Sequence, residues 1–312
     1  MMIPRLLLMI ALALAGLWFA AEPLLVAQAR RHVQADGIAP QPGWGRLGLA
    51  LTGVTLPTQA GRLELPRLDL WVTPLSPTTL RAGLPETAFW DAPAGRRQVG
   101  MEDAAAAVTL SPLGSVVRAN ASFAALALDG APLSGRGDVT ARAVADDRIP
   151  GHAFQMRIHL PDLRLPQARS ATGGLRLWLD RAPGIGTETP AVLGVMTEGF
   201  EIDTGRFTVR LVGQLSKGAD GLAQGRVALY GSDAAAMLDR AIEEGLVPPK
   251  VRLLARGMLN RVGQMDFAGG GADWPSMPPA AQGQVRIPLE MREGRMFLGT
   301  VEIGSAPPWP AF

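Results

Sequence analysis

From Trp44 onward, apolar and polar residues alternate with a period of two over short runs. Leu47, Leu49 and Leu51 share one strand face, and Leu63, Leu65, Leu68, Leu70 and Val72 continue the theme. Pro66 marks an edge or a bulge there, because it has no N–H to give a ladder. Val117 to Leu128 reads as one longer strand, Asp129-Gly130 as a turn, and Asp138 to Val144 as the hairpin partner. Met156, Ile158 and Leu160 alternate with Arg157 and His159. Leu175, Leu177 and Leu179 alternate with Arg176, Trp178 and Asp180, which is the clearest amphipathic strand in the chain. Phe207, Val209 and Leu211 come next, then Val227 and Leu229 after the turn-like Asp220-Gly221. Glycine and proline punctuate these runs at short spacing, which predicts a mainly β fold of large, curved, mostly antiparallel sheets. A leucine-rich sheet face has to be covered. A closed sandwich, a helix pair or a bound apolar ligand would each do so, and an ordinary packed core is the plain expectation.

One region breaks the alternation. Ser232-Asp233 has the chemistry of a helix N-cap, and Ala234 to Glu244 is rich in helix formers. Met237, Leu238, Ala241 and Ile242 fall on one face, and Gly245 is placed to end the helix. Pro248-Pro249 opens a second helical run, with Val251, Leu254, Ala255, Met258 and Leu259 at helical spacing. The two predict a helical hairpin over about residues 232–261. A Gly- and Pro-rich loop runs from Gly263 to Ala281. Val285, Ile287 and Leu289, the turn Glu293-Gly294, and Met296, Leu298, Val301 and Ile303 then predict a terminal β-hairpin over about 283–303.

The chain begins differently. Leu6 to Ala21 is an uninterrupted apolar run behind Arg5. It is short against the roughly 20 apolar residues that a span needs, but apolar character resumes at Leu24 to Ala27. Two readings are open. One is a retained membrane helix. The other is a cleaved secretory signal with a small-x-small site at Ala27-Gln28-Ala29. That site lies well past the apolar core, which favours the anchor. The division is therefore an anchor or signal segment over 1–32 and a β-rich extracytoplasmic domain over 33–312. Arg30, Arg31 and His32 after the segment, against Arg5 before it, would by charge alone favour the opposite orientation. A short N-terminal apolar segment nevertheless usually exports the chain behind it.

With 47% apolar residues the chain has material for a substantial core. The absence of cysteine excludes disulfides, thiolate metal sites and cysteine nucleophiles. The sequence pI is basic while the formal charge is only +2, since little titrates between neutrality and pH 9: no Cys, Tyr230 alone, and two lysines, Lys217 and Lys250. The arginines are scattered among Asp and Glu instead of clustered, so no nucleic-acid partner is expected.

Candidate chemistry is sparse. His32 sits beside the apolar segment, and His152 and His159 are too far apart for a local metal pair, with His159 on the polar face of a strand. There is no H-E-x-x-H, no Asp-rich calcium loop and no G-x-S-x-G elbow. Arg136-Gly137-Asp138 reads as a bulge or turn, and Asn120-Ala121-Ser122 matches a sequon inside a strand. Gly269-Gly270-Gly271 lacks the Lys-Ser/Thr of a phosphate cradle. Asp146-Asp147 and Glu243-Glu244 read as solvated carboxylates. Trp71, Trp90 and Trp178 are placed among strands, Trp274 and Trp309 in Pro-rich loops, and Trp18 in the apolar segment. No catalytic, cofactor-binding or metal-ligating residue is identified, and no cofactor is expected.

The run GRFTVRLVGQLSKGADGLAQGRVALYGSDAAAMLDRAIEEGLVPP, Gly205 to Pro249, and VRIPLEMREGRMFLGTVEIGSAPPWP, Val285 to Pro310, resemble the DUF2125 family of alphaproteobacteria. The closing pattern is the most specific part: strand, acidic-Gly turn, F-L-G, then I-G-x-A-P-P. The run RLELPRLDLWVTPLSPTTL, Arg62 to Leu80, fits more loosely. The resemblance implies one N-terminal apolar segment and a β-rich body, and it transfers no activity and no site residue. The strand-after-strand layout also resembles, at the level of fold, AsmA-type envelope proteins associated with lipid handling. The expectation is a non-enzymatic, single-pass protein of the bacterial inner membrane with its C-terminal body in the periplasm. Its partners would be the cytoplasmic membrane, through the N-terminal segment, and lipid or an envelope protein. The alternative is a structural or interaction module of an envelope complex.

Overall fold

The computed structural model describes residues 35–309 except 42–44, 59–60, 94, 166–167, 185–189 and all but Ala235, Asp239, Ile242 and Pro275 between 233 and 276. The apolar segment Leu6 to Ala21 lies outside the described residues. So, but for isolated positions, does the expected helical hairpin of residues 232–261. No helix among the described residues is long and apolar enough to cross a membrane. Those residues form nineteen strands in two compact units, the first ending at Arg136 and also taking in Gly184, the second starting at Gly137.

The first unit grows from a long hairpin. Strand β1 (Gly37–Pro40) pairs with β2 (Leu47–Thr58), which pairs along its length with β3 (Gly61–Thr73). Strand β3 then serves two partners on its other edge. Its C-terminal half pairs with β4 (Ser76–Gly83) and its N-terminal half with β5 (Thr87–Ala92). Pro66 stands between the two pairings, opposite Gly53, whose φ of 61° puts a kink in β2. A residue without an N–H thus marks the place where the edge changes hands. From β4 the ladder continues to β7 (Ala105–Leu110) and β8 (Val116–Phe123). From β5 it continues to β6 (Gly95–Glu102), β9 (Ala125–Leu128) and β10 (Ala131–Ser134). Leu51, Val54, Leu65 and Ala88 form the buried core beneath the fork.

Two expectations change here. Val117 to Leu128 is two strands, broken at Ala124, whose N–H bonds to the Glu102 carbonyl. The Asp129-Gly130 turn, with φ of 50° and 79°, joins β9 to the short β10 instead of to Asp138–Val144. Positive φ at both central residues gives the turn that matches strand twist, and Asp-Gly tolerates it.

The second unit is an antiparallel meander: β11 (Gly137–Val144), β12 (His152–Leu160), β13 (Ser170–Leu179), β14 (Val192–Asp203), β15 (Thr208–Lys217), β16 (Ala223–Gly231), β17 (Val285–Arg292), β18 (Arg295–Leu298) and β19 (Val301–Ser305), each paired with the next. The sheet is open: β19 pairs only with β18 among the described residues. Gly213 and Gly225 face each other's strands with φ of 156° and 139°, and a Cβ on Gly225 would lie 2.2 Å from the Gln214 carbonyl oxygen. Glycine is what lets β15 and β16 approach there.

The chain leaves β19 as a strap across one end of the meander. The Ala306 N–H bonds to Gly294, the Ala223 N–H to the Pro307 carbonyl, and the Trp309 N–H to Gly221. The Trp309 indole N–H reaches the Val192 carbonyl at 2.8 Å. One short segment thereby ties the ends of β14, β16 and the β17–β18 turn.

Candidate functional site

The meander has two chemically distinct faces, set by register. On one, Phe154, Leu177, Val195 and Leu215 stand side by side across β12 to β15. The next rungs carry Phe200, Leu211, Leu229 and Ile287, then Val227, Leu289, Leu298 and Val301. Apolar residues thus run without a break from β12 to β19. Burial along this face is uneven: Phe154, Met296, Leu298 and Ile303 are buried, whereas Leu175, Leu177, Val195, Leu211, Leu215 and Leu229 are only part-buried.

The opposite face carries the polar rows. Gln155, Arg176, Met196, Gln214, Arg226 and Glu290 form one rung across β12 to β17. His159, Thr172, Glu201, Arg210, Tyr230 and Arg286 form another. This polar face holds the most buried large side chains of the unit, Trp178 at 0% and Tyr230 at 1% exposure. The alternation in β13 therefore carries the opposite sense from the expected one: its leucines are half-covered, and the tryptophan between them is sealed.

Two segments do the sealing. The loop from β11 to β12 folds over Trp178. Ile149 sits above Gly194, where a Cβ would come within 2.3 Å of the isoleucine terminus, so the missing side chain makes its seat. Asp146 accepts hydrogen bonds from Arg148 and Arg176, and its backbone carbonyl accepts the Trp178 indole N–H at 3.3 Å. The Arg148 guanidinium lies 5.6 Å from the Trp178 ring centre and bonds the Met196 sulfur. The Asp146 side chain is 6% exposed, and hydrogen bonds from Arg148, outweighing desolvation, then from Arg176, hold its carboxyl well below the usual carboxylate range. The reading of Asp146 as solvated is thus corrected. Its partner Arg176 arrives from β13, thirty residues on.

The second covering segment precedes β17. Met277 packs on Val212, Ala228 and Tyr230. The Tyr230 hydroxyl donates to the Pro278 carbonyl at 2.7 Å, and Arg286 donates to the Met277 carbonyl at 3.0 Å. Burial pushes the Tyr230 hydroxyl up. Beside it Arg226 holds Glu290 with two nitrogens on one oxygen, at 3.0 and 3.1 Å, and the other Glu290 oxygen has no partner among the described residues.

Open hollows lie on this face among the described residues. One of about 270 Å³ lies over Gln155, Arg176, Met196 and Glu198, another of about 380 Å³ over Glu201, Arg210, Tyr230 and Gln284. Asp146 is held by Arg148 and Arg176, Glu290 by Arg226 through one oxygen, and His159 meets the Thr172 hydroxyl at 3.5 Å. His152 and His159, at odd separation in β12, point to opposite faces. No three His, Asp or Glu side chains gather for a metal among the described residues. Asn120 to Ser122 lies inside β8, and Gly137 of the Arg136-Gly137-Asp138 tripeptide is buried at the start of β11. His32, Trp18, Trp44, Trp274, Glu243-Glu244 and Gly269 to Gly271 lie outside the described residues.

The two units define a mainly β protein built on antiparallel ladders; in the second unit the polar face is sealed over Trp178 and Tyr230, and the apolar face is part-buried. The chain belongs to the DUF2125 family, described as an uncharacterized protein conserved in bacteria, whose pattern matches residues 45–307. No curated protein and no solved structure matches it.

Proposed function

We propose that this protein is a non-enzymatic, membrane-anchored periplasmic protein that binds or organises lipid on the apolar face of its second unit. The observation that supports this most is the apolar run from β12 to β19, left part-buried over Leu177, Val195, Leu211 and Leu229. On the other face of the same sheet a loop plug and Met277 close over Trp178 and Tyr230, and among the described residues the leucines of the apolar face stay part-buried. Half-covered apolar area favours an apolar occupant by roughly 25 cal/mol for each Å² removed from water. The proposal takes Leu6 to Ala21 as a retained apolar helix, the body as exported, the sheet as curved, and residues 232–261 as a helical hairpin, all from the sequence. The fold-level resemblance to AsmA-type proteins points the same way by analogy alone.

A photoreactive amino acid placed at Leu177 or Leu229 of the full chain in living cells is expected to crosslink to lipid, and one at Gln155 is not. Crosslinks to protein alone would replace lipid binding by the alternative role, a module of an envelope complex. Fused at its C-terminus to alkaline phosphatase, the chain is expected to give active enzyme. An inactive phosphatase beside a fluorescent cytoplasm-only reporter would reverse the orientation.

A further inference from the structure

The first unit carries two leucines that no fold requires. Leu75 is 97% exposed and Leu113 is 96% exposed. Each comes directly after a proline at the tip of a hairpin, Pro74-Leu75 between β3 and β4 and Pro112-Leu113 between β7 and β8. The β4–β7 ladder aligns the two tips. Thr79 pairs with Thr109, their hydroxyls 3.0 Å apart, and each leucine lies four residues beyond that rung on the same end of the sheet. With the strand order β3, β4, β7, β8 and a spacing of about 4.8 Å, the tips stand about 10 Å apart.

The two chain segments that carry the tips are themselves free of charge, and Gly184 bridges Ser115 beside the second. No charged residue occurs from Leu70 to Leu80 or from Ala104 to Val117. Behind this charge-free rim, on one face of the sheet, the first ionic side chains are arginines. Arg118 pairs in register with Thr109, and Arg81 with Trp71. Arg46 lies 5.7 Å from the Trp71 ring centre. Arg81 and Arg118 make no ion pair among the described residues, and the nearest acid on that face, Asp69, is held by Arg67 at 2.9 Å. Apolar tips, then a tryptophan and unpaired cations, is the order of chemistry met on passing from acyl chains to anionic headgroups.

We propose that Leu75 and Leu113 insert together into the surface of an anionic bilayer, with Arg46, Arg81 and Arg118 lying at the headgroups. The contact is separate from the apolar face of the second unit, and it rests on the membrane-anchored reading only for bringing the first unit to a bilayer. Asp36, near the start of the described residues, pairs its N–H with Thr52 in mid-strand. The fourteen residues 22–35 span up to about 45 Å when extended, enough to connect an anchor with that point.

The chain has no cysteine, so single-site labelling needs no background removal. Full-length L75C, L113C and A131C proteins would each carry an environment-sensitive fluorophore in vesicles of phosphatidylglycerol and phosphatidylethanolamine. Ala131 is exposed just beyond the Asp129-Gly130 turn, and the register sets it level with Leu65, ten residues back from Leu75 along β3. Emission at 75 and 113 is expected to shift to the blue and to be quenched by nitroxide-bearing acyl chains, while emission at 131 is unchanged. Quenching at the tips should fall when the vesicles are made of neutral phosphatidylcholine. If the chain floats with the vesicles but the tips emit like position 131, tip insertion is wrong and the anchor stands. A blue shift without lipid quenching would bury the tips against a second copy of the chain and overturn the proposal. If the chain does not float with the vesicles, both the anchor and the insertion fail.

Discussion

Replacing Trp178 by alanine is expected to destabilise the second unit by about 3–5 kcal/mol, the usual cost of emptying a large buried aromatic site. The side chain has no solvent exposure and packs among Ile149, Ala153 and Met196. Its indole N–H is spent on the Asp146 carbonyl. Truncation therefore removes apolar contacts, leaves a cavity under a loop, and frees a carbonyl that held the loop down. Trp178→Phe keeps most of the volume without the N–H and should fall between. Denaturant midpoints tracked by far-UV circular dichroism measure both. A W178A midpoint equal to that of the parent would mean that the plug does not pack as described.

The second large effect is electrostatic. Asp146→Asn keeps the shape and removes the charge that Arg148 and Arg176 share, and it is expected to cost about 2–3 kcal/mol at neutral pH, in the range for hydrogen bonds to a charged group. The two arginines remain 28% and 24% exposed, so water softens their loss of a partner and keeps the cost below that of a fully buried pair. The sign with pH comes from the depressed carboxyl, held down chiefly by Arg148 and then Arg176. Its stabilisation is complete above about pH 4, the range of an unfolded aspartate. It is lost as pH falls further, because the unfolded chain takes up the proton first. Denaturant midpoints from pH 7 to pH 2.5 should fall more steeply for the parent than for D146N. Parallel profiles would show that Asp146 does not carry the acid sensitivity.

The ladders were legible where chemistry is local. Leucines at 175, 177 and 179 give a strand because side chains alternate at period two. Asp129-Gly130 gives a turn because both positions tolerate positive φ. Pro66 announced an edge or a bulge, and the change of partner on β3 lies there. Partner choice was not legible, since nothing local tells one strand to divide its edge between β4 and β5. In the second unit the sense of the faces was not legible either, though in the first Leu47, Leu49, Leu51 and Leu65 are buried as their alternation predicts. Leucine outnumbers every other residue on the alternating positions, so leucine reads as core. The deeper burial belongs instead to Trp178 and Tyr230, because a loop and a distant segment fold back over them. The burial of Asp146 is hidden in the same way: beside Asp147 it looks solvated, and only strand pairing delivers Arg176 to it. A cluster assembled from three separate stretches leaves no spacing pattern along the chain.

The strap formed by Ala306 to Trp309 bears on how the second unit comes together. Every ladder in the meander joins strands consecutive in chain order, so the sheet can add strand after strand as the chain emerges, with the one long step at residues 232–284 between β16 and β17. The Trp309–Val192 bond joins residues 117 apart, and closing so long a loop is the slow kind of step. Residues 306–309 therefore lock ends of strands that formed much earlier. Until they arrive, the meander is assembled but unlatched, and its final rigidity is acquired only when residues 306–309 are available to fold.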